Sequence, residues 1–153
     1  MTEQLSPLAL QALAIVEESG AIISANHAHH HTIRHKGRID LVTETDIAVE
    51  AFLKERLATL TPEAGFLAEE SAEDLSLPDT CWIIDPVDGT TNFAHGLPLT
   101  VTSVAYRLNG EIVLGIVNAP LLRECFIAEK GKGAWRNGER ISVSSVAACE
   151  NAL

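Results

Sequence analysis

The chain has 153 residues, of which 46% are hydrophobic, and its 11 bases against 21 acids give a formal net charge of -10. That apolar content suffices for one substantial core and excludes a disordered chain, while the acid excess opposes the phosphate contacts on which nucleic-acid binding rests. With three scattered cysteines, Cys81, Cys125 and Cys149, and no Lys or Arg in the first ten residues to mark a secretory leader, a cytoplasmic protein without disulfides is expected.

Apolar residues at Leu8, Ala12, Ile15, Val16, Ile22 and Ile23 recur at spacings of three and four behind Ser6-Pro7, which predicts a long helix with Ser6 as its cap. Its longest apolar stretch, Leu8 to Val16, is broken by Gln11 and falls short of the roughly 20 residues of a membrane span, so no membrane contact is expected. The histidine-rich segment His27 to Arg38 has neither helical nor strand period and reads as an exposed loop. Its imidazoles, His27, His29, His30, His31 and His35, suit a transition metal, but no Cys or acid stands among them at ligand spacing, which favours a solvated loop. A short strand, Ile39 to Thr43, leads into a second helix with Val49, Phe52, Leu53, Leu57 and Leu60 inward, Glu50 and Lys54 paired on its exposed side, and Thr61-Pro62 as its end.

From Gly65 the pattern shortens to strand-like runs at 65–68, 81–84, 100–108, 111–117 and 124–128, with Asn109-Gly110 and Asn137-Gly138 as tight hairpin turns. Two helices followed by hairpin-linked strands predict an α+β fold, the helices covering one face of an antiparallel sheet.

The middle of the chain is a negative belt: between Asp40 and Thr90 stand 13 of the acids but only Lys54 and Arg56 of the bases. Within it, Trp82-Ile83-Ile84-Asp85-Pro86-Val87-Asp88-Gly89-Thr90-Thr91-Asn92-Phe93 delivers Asp85 at the end of a buried strand and Asp88 three residues later, before a Gly-Thr step able to open a helix. Paired carboxylates call for a cation and free helix-start N–H groups for an anion, so metal plus phosphate satisfies both. A plain Asx-turn would explain Asp-Pro and Asp-Gly alone. A second apolar strand ending in paired acids, Phe66-Leu67-Ala68-Glu69-Glu70-Ser71, favours the cation.

These two segments resemble the inositol monophosphatase family, whose motifs are a strand ending in Glu-Glu and the string W-x-I-D-P-x-D-G-T-x-N-F. Asp40-Leu41-Val42-Thr43-Glu44-Thr45-Asp46, His95-Gly96-Leu97-Pro98 and Gly131-Lys132-Gly133-Ala134 extend the resemblance along the chain. It implies the first half of a layered α/β/α/β/α sandwich and hydrolysis of a small phosphorylated alcohol with Mg2+ or Mn2+. Glu69, Asp85 and the Val87 carbonyl would hold one ion, and Asp85 with Asp88 part of a second. Thr90 and Asp46 would activate water, with Asp46 also able to cap its helix, and Glu70 is a further catalytic candidate against a merely solvated role. Glu69, Val87, Asp88, Gly89 and Thr90 would face the substrate phosphate, and His95 is expected to be structural.

Thr90-Thr91-Asn92-Phe93 resembles the inositol phosphatase version of the string, which makes inositol 1-phosphate the leading substrate. Fructose 1,6-bisphosphate and adenosine 3′,5′-bisphosphate stay open, as does a non-catalytic binding or regulatory module. The family's loop lysine has only Lys36 to match it, in a shortened loop. The family's carboxyl-terminal W-D-x-x-x-G segment has no counterpart here, so residues 1–153 are expected to be an amino-terminal α+β domain whose carboxyl-terminal α/β partner is absent, and the complete protein is expected to be a homodimer.

Overall fold

A computed structural model describes residues 5–27, 34–35, 41–42, 44–71, 77–148 and 150. Helix α1 spans Pro7–Asn26. The Ser6 hydroxyl accepts the Ala9 N–H at 3.2 Å, and the Ser6 N–H donates to the Glu129 carboxylate at 2.8 Å, which ties the helix start to the sheet. Strands β1 (Arg34–His35) and β2 (Leu41–Val42) form a small antiparallel ribbon. Helix α2 follows at Glu44–Ala58.

The main sheet is β3 (Gly65–Ala68), β4 (Cys81–Asp88), β5 (Val101–Leu108), β6 (Glu111–Ala119), β7 (Glu124–Glu129), β8 (Gly133–Arg136) and β9 (Glu139–Ile141), neighbouring one another in chain order. A short helix α3, Thr90–Ala94, stands between β4 and β5. Both Asn-Gly turns have positive φ at both residues, 52° and 84° for Asn109-Gly110 and 49° and 80° for Asn137-Gly138, the geometry that lets a two-residue turn follow the strand twist.

The α+β class stands as expected, with four differences of detail. First, β3 pairs with β4 in parallel, so the sheet is not wholly antiparallel; the long crossover from Ala68 to Cys81 makes a parallel return possible. Second, Arg34–His35 within the expected loop pairs with Leu41–Val42, its strand character coming from the partner rather than from its own period. His27 belongs to the end of α1, half-buried, with its ring 5.8 Å from that of Phe93. The rest of that loop and of the Ile39 to Thr43 strand lies outside the described residues.

Third, Glu50 is buried instead of facing water, and Lys54 reaches it only at 4.0 Å. Fourth, β8 and β9 are added beyond the expected strands. They are short, and β9 is exposed along its length, so neither shows the alternation that identifies a strand by pattern.

Helices α1 and α2 cover one face of the sheet. Alternate residues of the strands, Trp82 and Ile84 of β4, Val104 and Tyr106 of β5, Leu114 and Ile116 of β6, join Ala12, Val16, Ile23, Val49, Leu53 and Leu57 in one core. Among the described residues α1 alone is long and apolar enough to cross a membrane by length and composition. It nevertheless lies against α2, β5, β6 and β7 with Val16 and Ile23 wholly buried, the packing of a core helix.

At the base of the core the Trp82 indole N–H donates to the Thr61 hydroxyl at 2.8 Å, both groups buried, and its ring lies 4.5 Å from that of Tyr106 across the strands. Thr61→Val keeps the shape but leaves that N–H without an acceptor, so urea unfolding should show a loss of about 1–3 kcal/mol; an unchanged midpoint would mean that the indole finds water instead.

Candidate functional site

The parallel pairing of β3 and β4 sends both strand ends to the same edge. Ala68 faces Ile84 in the register, and the Glu69 N–H donates to the Ile84 carbonyl at 3.1 Å, which places Glu69 beside Asp85. Strand β4 does not stop at Ile84 as expected from its apolar run. It continues to Asp88 through a bulge: Asp85 faces Ser103 and Asp88 faces Val101, so β4 holds one extra residue. Residues three apart in a regular strand point to opposite faces, and the extra residue returns Asp88 to the side of Asp85.

Pro86 has no N–H to donate and is accommodated at the bulge, where its carbonyl accepts the buried Thr102 hydroxyl at 2.9 Å. The turn into α3 is made by Gly89 with φ 88°. A Cβ there would meet the Leu99 carbonyl oxygen at 2.8 Å, so glycine is required by conformation and by space. The same carbonyl accepts the Asn92 side-chain N–H at 2.9 Å, closing the loop behind α3.

Helix α2 supplies the third wall. Asp46 lies in its first turn, where a carboxylate also complements the helix dipole, and only 1% of it is exposed. Its Oδ1 is 3.1 Å from the Thr90 hydroxyl, which also lies 2.9 Å from the Val87 carbonyl. One hydroxyl proton faces two acceptors, so it serves one at a time and the oxygen keeps lone pairs for a third partner. Glu50, one turn further along α2, accepts the Glu70 N–H at 2.8 Å.

Asp85 is electrostatically out of balance. Burial first, then the charge of Glu69 and a hydrogen bond shared with it, then the charges of Asp88 and Asp46, push its carboxyl from 3.8 up to about 7. Its Oδ1 is buried and has no hydrogen-bond partner. Protonation of Asp85 relieves part of this crowding of negative charge in the free chain. An orphaned carboxylate oxygen amid other carboxylates suits a hard divalent cation, so the donor chemistry fits Mg2+ or Mn2+. Among the described residues, however, no three acidic, histidine or cysteine side chains converge closely enough to hold an ion unaided.

Of the residues singled out in the sequence, Asp46, Glu69, Asp85, Val87, Asp88, Gly89 and Thr90 meet at this one edge. Glu70 is adjacent but half-buried, its main chain bound to α2. The exposed ring of His95 bonds through Nδ1–H to the Thr91 carbonyl at 2.8 Å, a local contact. Lys36 and His29 to His31 lie outside the described residues. Glu50 and Thr102 were missed; the four-residue step from Asp46 to Glu50 was the available signal for the first, and the threonine had none.

Fold and site together define an α+β protein with an all-oxygen acidic centre at the ends of a parallel strand pair. The chain belongs to the inositol monophosphatase family, whose profile matches residues 4–153. It is similar to an inositol monophosphatase of Dictyostelium discoideum, 47% identical over 139 residues, 88% of this chain and 51% of that protein. It is similar also to a fructose-1,6-bisphosphatase/inositol-1-monophosphatase of Thermotoga maritima, 45% identical over 114 residues, 74% of this chain and 44% of that one. Among solved structures, an IMPase of Thermotoga maritima superposes with a TM-score of 0.81 and 39% identity, over 87% of this chain and 52% of the other. The chain spans about half the length of the curated relatives it matches.

A carboxyl whose folded-state pKa is raised stabilises the fold while protonated and ceases to do so once ionised. In chelator, therefore, the chain should lose thermal stability as pH rises from about 4 through the Asp85 value of about 7. Asp85→Asn should flatten that decline and raise the midpoint at pH 8; parallel profiles for the two proteins would contradict the repulsion.

Proposed function

We propose that this chain carries the phosphate- and metal-binding centre of a divalent-metal-dependent phosphatase acting on small phosphate monoesters, with Mg2+ as the metal and inositol 1-phosphate as the leading substrate. The observation that carries this reading is the Thr90 hydroxyl held by Asp46 at 3.1 Å beside an Asp85 oxygen that lacks a partner. The names of the relatives, inositol monophosphatase above all, support the substrate class.

Glu69, Asp85 and the Val87 carbonyl would hold one ion, and Asp85 with Asp88 part of a second. Held there, Mg2+ would supply positive charge to the phosphate oxygens and lower the pKa of water. Thr90 would orient the attacking water: with its hydroxyl proton given to Asp46, an Oγ1 lone pair is left to accept a hydrogen bond from that water and aim its oxygen in line with phosphorus. The Gly89 and Thr90 amides donate to phosphate oxygens, whose charge grows in the transition state. Glu70 remains a further catalytic candidate, next to Glu69 in the chain and with its main-chain N–H tied to Glu50 of α2 at 2.8 Å. The buried free thiols of Cys81 and Cys125 agree with a reducing, cytoplasmic setting.

Metal is tested on the chain itself. Mg2+ or Mn2+ at a hundredfold excess over its Kd should stabilise the folded chain by about 2.7 kcal/mol, seen as a raised thermal midpoint that Asp85→Asn abolishes. No shift would leave the binding-module reading in its place. Activity is tested on the product of the full coding sequence with inositol 1-phosphate, fructose 1,6-bisphosphate and adenosine 3′,5′-bisphosphate. Thr90→Ala should reduce phosphate release by about 10²- to 10⁴-fold with metal affinity preserved; release that survives the substitution would remove Thr90 from the chemistry.

A further inference from the structure

We infer that Glu50 is a positioning residue for the metal centre: its buried carboxylate fixes the Glu69–Glu70 turn from the side of α2 and so sets where the Glu69 carboxylate stands relative to Asp85. The inference rests on the metal-dependent reading proposed above.

Glu50 is 4% exposed, and burial of a carboxylate is costly unless its oxygens are well served. The Oε2 atom accepts the Glu70 N–H at 2.8 Å, a charge-assisted bond to main chain. Lys54, one turn on, lies 4.0 Å from Oε1 and donates from Nζ to the Ser71 hydroxyl at 2.9 Å. Asp46, one turn back, is bonded to Thr90. Asp46, Glu50 and Lys54 are four residues apart and share one stripe of the helix, so a single rigid element holds both the Thr90 hydroxyl and the turn bearing Glu69.

Strand β3 ends at Ala68, and the Glu69 N–H reaches the Ile84 carbonyl at 3.1 Å. Glu69 is therefore gripped by β4 before it and by Glu50 after it. Loss of the second grip removes a buried charge-assisted tie between the turn and α2 and lets the Glu69 side chain shift relative to Asp85. A partner that orients a ligand in this way is commonly worth ten- to a hundredfold in metal affinity.

The test is Mn2+ binding to the chain by titration calorimetry, with the metal-free thermal midpoint as the control for folding. Glu50→Gln keeps an acceptor oxygen at the same reach and should bind within about threefold of the parent. Glu50→Met fills the space with no comparable acceptor and should bind Mn2+ at least about tenfold more weakly than Glu50→Gln at a temperature where both metal-free midpoints show a folded chain. Glu50→Asp, whose acceptor is drawn back by one methylene, should show the same weakening should the methionine variant fail to fold. Equal affinity in the parent, Gln and whichever of Met or Asp folds would overturn the positioning role while leaving the metal centre intact. Absence of Mn2+ binding in the parent would overturn the metal-dependent reading and this inference with it.

Discussion

The parallel pairing of β3 with β4 is the constraint from which the rest of the site follows. Antiparallel neighbours would have put Glu69 and Asp85 at opposite ends of the sheet; parallel ones put them side by side. Two like unit charges about 4 Å apart near a protein surface repel by about 4 kcal/mol, and the bulge adds Asp88 to the same side. A fold left with that repulsion would be weakened at its centre. The repulsion raises the pKa of Asp85 and favours its protonated form, and an opposing cation is the alternative that the oxygen donor set invites.

Rigidity around this centre comes from elements with other tasks in the core. Helix α2 buries Val49, Leu53 and Leu57 against the sheet and, on the same turns, turns Asp46 and Glu50 toward the site. Asn118 does comparable work for α1, donating to the Val16 carbonyl at 3.1 Å where Gly20 leaves room for the sheet to approach. Both helices are held by apolar burial first, and their polar contacts then fix register. The geometry of Thr90 and Asp46 is thereby built on packed elements, which keep it reproducible without a bound ligand.

Much of the site was legible in the sequence because its chemistry is written in short strings. The segment from Trp82 to Phe93 carries a strand, a bulge, a glycine turn and a helix start in twelve residues, and local chemistry of that kind survives in sequence order. The partner of Thr90 came instead from the family resemblance, since nothing local ties Asp46 to a residue 44 positions away. The parallel sense of β3 was hidden because strand direction is set by the crossover, not by the residues of the strand. Glu50 was read as a surface ion pair because an acid four residues before a lysine is the ordinary pattern of an exposed helix face; its burial depends on the turn after β3 lying above it. Strands β8 and β9 were missed for want of alternation, although the Asn137-Gly138 turn that joins them stood plainly in the sequence.

The central claim is that the unpartnered Asp85 oxygen and its neighbour Glu69 are a cation site. The most direct measurement is an anomalous difference map from crystals of this chain grown with Mn2+. A peak within coordination distance of Asp85 and Glu69, lost in Asp85→Asn crystals grown alike, is the expected result. A map with no peak at that edge of the sheet, or with Mn2+ bound only among the histidines between α1 and α2, would contradict it.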